Sequence, residues 1–204
     1  MLQFFYAPNS CALATHLALE ASGLPYQARR VDFASNEQRS AAFLAVNPKG
    51  RVPALVSGQG VLTETPAILA YLCQLAPEAA LAPLDDPWAF AQLQSFNSYL
   101  ASTVHVAHAH RYRGLRWADE PAAIEAMKRK VPQNMRACFK LIEEELLKGP
   151  WVLGTDYSVA DMYLFTICRW LEGDEVDIRE FPRAAEHYAR MLEKPEVQKV
   201  LAQQ

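Results

Sequence analysis

The spacing of apolar and polar positions changes along this chain, and the change divides it in two. Positions 2–6 form a short apolar and aromatic run, which predicts a buried strand. Ala7-Pro8-Asn9 interrupts the run with turn chemistry. Across positions 11–22 the apolar residues Leu13, Leu17, Ala18 and Ala21 recur at helical spacing, with Ser10 at the N-cap position and Gly23 at the stop. Positions 26–31 alternate and predict a second strand; Ser35-Asn36 is a start signal for a short helix over 38–45. Asn47-Pro48-Lys49-Gly50 is a turn, 52–56 a strand interrupted by Pro53, and Ser57-Gly58-Gln59-Gly60 a hairpin turn into Val61-Leu62. Thr63-Glu64-Thr65-Pro66 opens a helix whose apolar stripe is Ile68, Leu69, Tyr71, Leu72 and Leu75. The order is β-α-β-α-β-β-α.

Beyond it the pattern changes. Positions 76–87 hold three prolines (Pro77, Pro83, Pro87) and no period, which predicts a linker. Everything after is helical in pattern: one long helix or two over 88–117, another over 122–147 opened by Pro121, a third over 162–170 behind the capping box Ser158-Val159-Ala160-Asp161, then helices begun by Pro182 and Pro195. The expected organisation is an α/β domain over 1–76, a linker over 77–87 and an all-helical domain over 88–204.

Composition narrows the function classes. With 20 Lys and Arg against 23 Asp and Glu the net charge is −3, so no basic field invites nucleic acid or an anionic membrane. No apolar run approaches the ~18 residues of a membrane span. The N-terminus carries no basic residue before Arg29 and is not expected to be a signal peptide. The four cysteines, Cys11, Cys73, Cys138 and Cys168, have no metal-like or disulfide-scaffold spacing, so reduced thiols in a cytoplasm are expected.

Four places concentrate chemistry. Cys11 stands at the start of a helix, where free backbone N–H groups and the positive end of the macrodipole favour a thiolate; its bland alternative is a small buried hydrophobe. Pro53 inside a strand marks an irregularity. A cis bond there would turn the Val52 backbone outward to pair with an extended peptide, whereas a trans proline on an edge strand would not. Glu64 offers a carboxylate to an ammonium group, and Thr65 with the following N–H groups could bind a carboxylate, the alternative being plain helix capping. His105, His108 and Tyr112 share one helical face with Arg111 beside them, able to supply donors, a cation and a phenol to a bound substrate. No carboxylate or cysteine nearby in sequence completes a metal set, and no metal is expected. His16 and His187 read as structural or surface residues, the other three cysteines as core thiols, and Trp170 as either core or pocket lining.

Tyr6-Ala7-Pro8-Asn9-Ser10-Cys11, Asn47-Pro48-Lys49-Gly50-Arg51-Val52-Pro53, Leu62-Thr63-Glu64-Thr65 and Ser158-Val159-Ala160-Asp161 occur in the order and spacing of glutathione transferases, and the resemblance covers nearly the whole chain. Ser10-Cys11 after the first strand, together with His105, resembles the bacterial beta class. The resemblance implies a thioredoxin-like domain that binds glutathione as co-substrate, a helical domain that lines a site for a small hydrophobic electrophile, and a homodimer. It implies glutathione contacts at Tyr6, Ser10, Val52, cis-Pro53, Glu64 and Thr65, and catalytic roles for Cys11 and His105. His108, Arg111, Tyr112 and Trp170 become candidates for the electrophile site. There are departures too. Ala12 stands where beta-class members commonly have serine, no lysine occurs over 34–39 (where Arg39 could substitute), the family's His-Lys pair is His105-Val106, and an upstream asparagine is Ser98.

Two mechanisms follow from that resemblance. In one, the glutathione thiolate attacks an electrophilic carbon; in the other, Cys11 forms a mixed disulfide with glutathione and exchanges it with disulfide substrates. Conjugation is the expected main activity with exchange as its companion; the alternatives are glutathione-dependent thiol–disulfide exchange as the main role and a non-catalytic binding module on the same fold.

Overall fold

The computed structural model describes residues 1–203. By its internal contacts the chain divides into two units: Met1–Phe90 together with the segment that begins at Leu192, and Ala91–Met191.

In the first unit, strand β1 (Leu2–Tyr6) is followed by helix α1 (Ala12–Ser22), strand β2 (Tyr26–Arg30), helix α2 (Ala41–Val46), strands β3 (Ala54–Ser57) and β4 (Gly60–Thr63), and helix α3 (Thr65–Leu75). The sheet order is β2-β1-β3-β4. β1 and β2 pair in parallel with Leu2 opposite Tyr26; β3 runs antiparallel to both β1 and β4. β1 is central and buried at every position but Gln3, whereas β2 is a largely exposed edge.

α1 is buried from Ala12 to Leu19 because it packs against β1, α3 and helix α9 (Pro195–Leu201). An ion pair between Lys199 and Glu20 joins α9 to α1, and the Tyr26 hydroxyl donates to the same carboxylate at 3.1 Å. His16 lies on the inner face of α1 among the rings of Phe4, Tyr6 and Tyr26, at centroid distances of 5.3, 5.2 and 5.7 Å. Burial lowers its pKa to about 4.

Two elements differ from the sequence expectation. The helix expected over 38–45 is a 3₁₀ turn at Glu37–Arg39 followed by α2, because Ser40, not Ser35, takes the cap: its hydroxyl accepts from the Phe43 N–H at 3.2 Å. β3 begins at Ala54, not at 52, since Pro53 has no N–H to give to a ladder. The proline-rich stretch contains one 3₁₀ turn, Pro77–Ala79.

In the second unit, α4 (Pro87–Tyr99, begun in the first unit) continues through a π turn at Leu100–Val104 into α5 (His105–Tyr112), so the one helix or two expected over 88–117 end at Tyr112. α6 (Pro121–Leu141) packs against α5, and α7 (Val159–Cys168) is buried at every residue. α8 (Pro182–Leu192) follows. The expected capping box starts α7. The buried Asp161 carboxylate accepts from the Ser158 N–H at 2.8 Å, the Ser158 hydroxyl at 3.1 Å, the Val152 N–H at 2.7 Å and His187 Nε2 at 3.0 Å. Those bonds tie the entry to α7, the 152 turn and α8 together.

Asp161→Ala leaves these donors buried without an acceptor and should lower unfolding stability by about 3–5 kcal/mol in urea denaturation; a loss below about 1 kcal/mol would contradict the role of the carboxylate. Unfolded His16 takes a proton near pH 6.5 and folded His16 only near 4. Its contribution is therefore complete above pH 6.5 and lost as pH falls toward 4, by up to about 3 kcal/mol. Unfolding midpoints between pH 7 and 4.5 should accordingly fall less steeply in His16→Leu than in the wild type.

Candidate active site

The turn from β1 into α1 is built by Ser10, whose hydroxyl donates to the Ala7 carbonyl at 2.6 Å and accepts from the Ala12 N–H at 3.3 Å. Cys11 follows with helical dihedrals (φ −60°, ψ −14°) and is 9% exposed. Its thiol donates to the Val52 carbonyl at 3.6 Å. The Val52–Pro53 peptide is cis, and the Val52 N–H makes no bond among the described residues. The Thr65 side chain, at the start of α3, lies near enough to pull the thiol pKa down. Three residues expected to act together thus meet in one unit.

The loop before Val52 is locked from inside. Buried Asn47 donates to the Arg51 carbonyl at 2.6 Å and accepts from the Lys49 N–H at 3.1 Å. Gly50 has φ +61°, and a Cβ there would stand 2.9 Å from the Gln38 carbonyl oxygen and 3.0 Å from the Arg39 guanidinium, so the position needs glycine. Glu64 holds φ +75° and ψ 123°, a backbone state unfavourable for a side chain of its kind. Its exposed carboxylate is ion-paired with Lys49, whose ammonium also donates to the Thr63 hydroxyl at 2.6 Å. Lys49 as a partner of Glu64 was not readable from the sequence, because 15 positions separate them. Tyr6 stays outside the Cys11 group: its ring packs on Phe4 and His16, and its hydroxyl donates to the Gln203 carbonyl at 3.4 Å.

The expected ionisation of Cys11 is reversed. Burial pushes the thiol up to about 11, outweighing the Thr65 hydroxyl and the helix-start backbone N–H that pull it down; the Glu64 charge adds to the rise and Arg51 opposes it. A helix terminus lowers a thiol pKa only when the thiolate stays hydrated or well donated, and this sulfur is neither. Cys11 is therefore an S–H donor at neutral pH. Burial likewise raises Cys73, to about 12, and Cys138 and Cys168, in keeping with core thiols.

In the second unit the expected face of α5 forms a cluster around buried Trp170, directly after the π turn. His108 stacks on the indole at 4.3 Å and 17°, and His105 lies 4.9 Å from it. His108 Nδ1 is 2.7 Å from Asp174 Oδ2, Arg111 is ion-paired with Glu175, and the Tyr112 hydroxyl donates to the Gly173 carbonyl at 3.3 Å. Sequence reasoning missed Asp174: an acid in a Glu-Gly-Asp-Glu stretch after a helix reads as a solvated turn, and nothing local signals that it is buried.

The model of the glutathione S-transferase N-terminal domain matches residues 2–74, and that of the C-terminal domain matches residues 121–190. Glutathione S-transferase GstA of Escherichia coli is 31% identical over 204 residues, 98% of each chain. The chain belongs to the glutathione S-transferase family. Membership makes it a glutathione transferase with glutathione as co-substrate. This transferase is similar in structure to a glutathione transferase homologue from Sulfitobacter solved with bound glutathione (46% identity, TM-score 0.97, 100% of this chain and 98% of that one). It is also similar to a beta-class glutathione S-transferase from Sphingomonas chungbukensis (32% identity, TM-score 0.85, 98% of each). No group of three or more His, Cys, Asp or Glu able to hold a metal occurs among the described residues of the transferase.

Because its Cys11 is a thiol at neutral pH, alkylation by iodoacetamide at pH 7 should be about a hundredfold slower at Cys11 than at an unperturbed thiol, and should rise through pH 10. Peptide-resolved mass spectrometry reads this rate, and a plateau below pH 8 would show that burial does not dominate.

Proposed function

We propose that the transferase attaches the glutathione thiolate to a small hydrophobic electrophile, with residues 1–76 holding glutathione, 77–87 as linker and 88–204 lining the electrophile site. The observation that carries this reading is the meeting of the Cys11 thiol with the Val52 carbonyl beside a cis Val52–Pro53 peptide. The Val52 N–H and C=O pair with the cysteinyl backbone of glutathione as an added strand at the Pro53 turn. Glu64 takes the ammonium of the γ-glutamyl end, displacing Lys49, and Thr65 with the first N–H groups of α3 takes its carboxylate. Ser10 holds the turn that presents Cys11.

The catalytic task is to stabilise a thiolate. Each donor that bonds to the charged sulfur but less well to the thiol lowers the glutathione pKa, and a charge-assisted bond is worth about 1.5–3 kcal/mol. Cys11, held protonated, supplies an S–H donor. The same protonation makes Cys11 slow as an attacking nucleophile, so thiol–disulfide exchange is the companion activity. In the helical domain His105 is the catalytic residue, and His108, Arg111, Tyr112 and Trp170 form the face that takes the electrophile. The enzyme works as a cytoplasmic homodimer in detoxification of reactive carbon compounds and disulfides.

The test combines glutathione-column retention, conjugation kinetics and intact-mass measurement after oxidised glutathione. Wild type should be retained and conjugate. Glu64→Gln should raise the glutathione KM by about 10- to 100-fold with a smaller change in kcat. Cys11→Ala should abolish a slowly formed glutathione adduct and lower kcat about tenfold. An unretained wild type with no turnover would overturn the reading, as would an unchanged KM in Glu64→Gln.

A further inference from the structure

One ion pair of the first unit stands where the γ-glutamyl end of glutathione would dock. The Lys49 ammonium contacts the Glu64 carboxylate and donates to the Thr63 hydroxyl at 2.6 Å. The two side chains are 42% and 62% exposed, and exposed pairs of this kind add little to folding stability. The backbone beneath them is fixed at both ends. The Lys49 N–H donates to the side-chain oxygen of buried Asn47 at 3.1 Å, and the Gly50 N–H to the Asn47 carbonyl at 2.9 Å. On the other side Glu64 keeps φ +75°, and its carbonyl accepts the Ile68 N–H of α3 at 3.0 Å. Thr63, the second partner of the ammonium, sits in β4 opposite Ala54 of β3. Rigid supports thus hold a pair that opens easily.

Charge decides what can open it. A ligand ammonium that took Glu64 and brought nothing else would leave Lys49 as an uncompensated cation close by. A ligand carboxylate alone would strand Glu64 in the same way. An α-amino acid end carries both charges on one carbon, so each half of the pair gains a new partner as it loses the old one. Two charges of the protein and two of the ligand then alternate in sign, and none is left unpaired. The Thr63 hydroxyl keeps the ammonium at the site, because that bond does not depend on Glu64. A simple amine or an N-acylated peptide offers no such exchange.

We infer that Lys49 is a specificity-determining residue for the co-substrate: the zwitterionic end of glutathione inserts into the Lys49–Glu64 pair, its ammonium taking Glu64 and its α-carboxylate taking Lys49. The inference rests on the transferase reading above. It adds to the Thr65 hydroxyl and the first N–H groups of α3 a cation for the same carboxylate. Lys49 changes partner on binding and stays at the site.

Calorimetric titration of wild type and Lys49→Met with three thiol ligands tests this. Glutathione carries the complete zwitterionic end, and its glycinamide analogue keeps that end with no net charge. The third ligand, 4-aminobutanoyl-cysteinylglycine, lacks the α-carboxylate and also has no net charge. Lys49→Met should raise Kd about fivefold for the first two ligands. For the third, Kd should stay the same or fall, because the variant removes a competitor for Glu64 and no carboxylate needs the lysine. Equal charge on the two analogues separates this effect from a general loss of positive field. The bond to Asn47 comes from the Lys49 backbone, so the variant keeps the loop and its urea midpoint should match the wild type. Equal weakening of all three ligands would overturn the inference, as would unchanged or tighter binding of glutathione. Either result, with a wild type that binds and conjugates glutathione, leaves the transferase reading standing. A wild type that binds none of the ligands removes that reading and the inference together.

Discussion

The contact between the Cys11 thiol and the Val52 carbonyl holds the site of this transferase together. A strand broken by proline leaves backbone groups that still need partners in the interior. The Val52 carbonyl finds one in a thiol 41 positions away, delivered by the Ser10 turn at the start of α1. Asn47 and Gly50 keep the other side of the contact in place, since the loop from 47 to 51 closes on its own hydrogen bonds and admits no side chain at 50. The consequence is chemical as well as structural. A sulfur buried against a carbonyl is a poor place for negative charge, so Cys11 is held as a protonated donor.

Burial produces different chemistry in the two histidine–carboxylate pairs. Around Asp161 every neighbour is a donor, and the result is a rigid joint among the 152 turn, α7 and α8. Around Asp174 the donors are withheld except for one imidazole, whose far nitrogen stays open. The first carboxylate is fully satisfied and the second only half so. The unit contains one pair of each kind, 13 positions apart at their acids.

Much of this was legible in the chain itself. The apolar run at Leu2–Tyr6, the Ser158–Asp161 box and the stripe after Thr65-Pro66 each announced an element that formed where expected. The grouping of Cys11, Val52 and Thr65 was also legible, through motif spacing and family resemblance. Less was readable where two local signals competed. Ser35 and Ser40 both look like caps, and only Ser40 has a helix to cap. Pro53 lies in an apolar run, yet the strand starts after it.

Element order, the two-part division of the pattern and the residue types available at each turn were thus already present in the one-dimensional sequence, because periodicity, capping and proline chemistry act over three or four positions. The ionisation of Cys11, the pairing of Lys49 with Glu64 and the burial of Asp174 under His108 were not. Each depends on which distant groups exclude water from a given atom. Asp174 and His108 lie 66 positions apart, and in sequence that acid is indistinguishable from its exposed neighbour Glu175. Desolvation is a property of the packed chain, and it is desolvation that turned an expected thiolate into a thiol and a plain acidic turn into a buried carboxylate facing one imidazole.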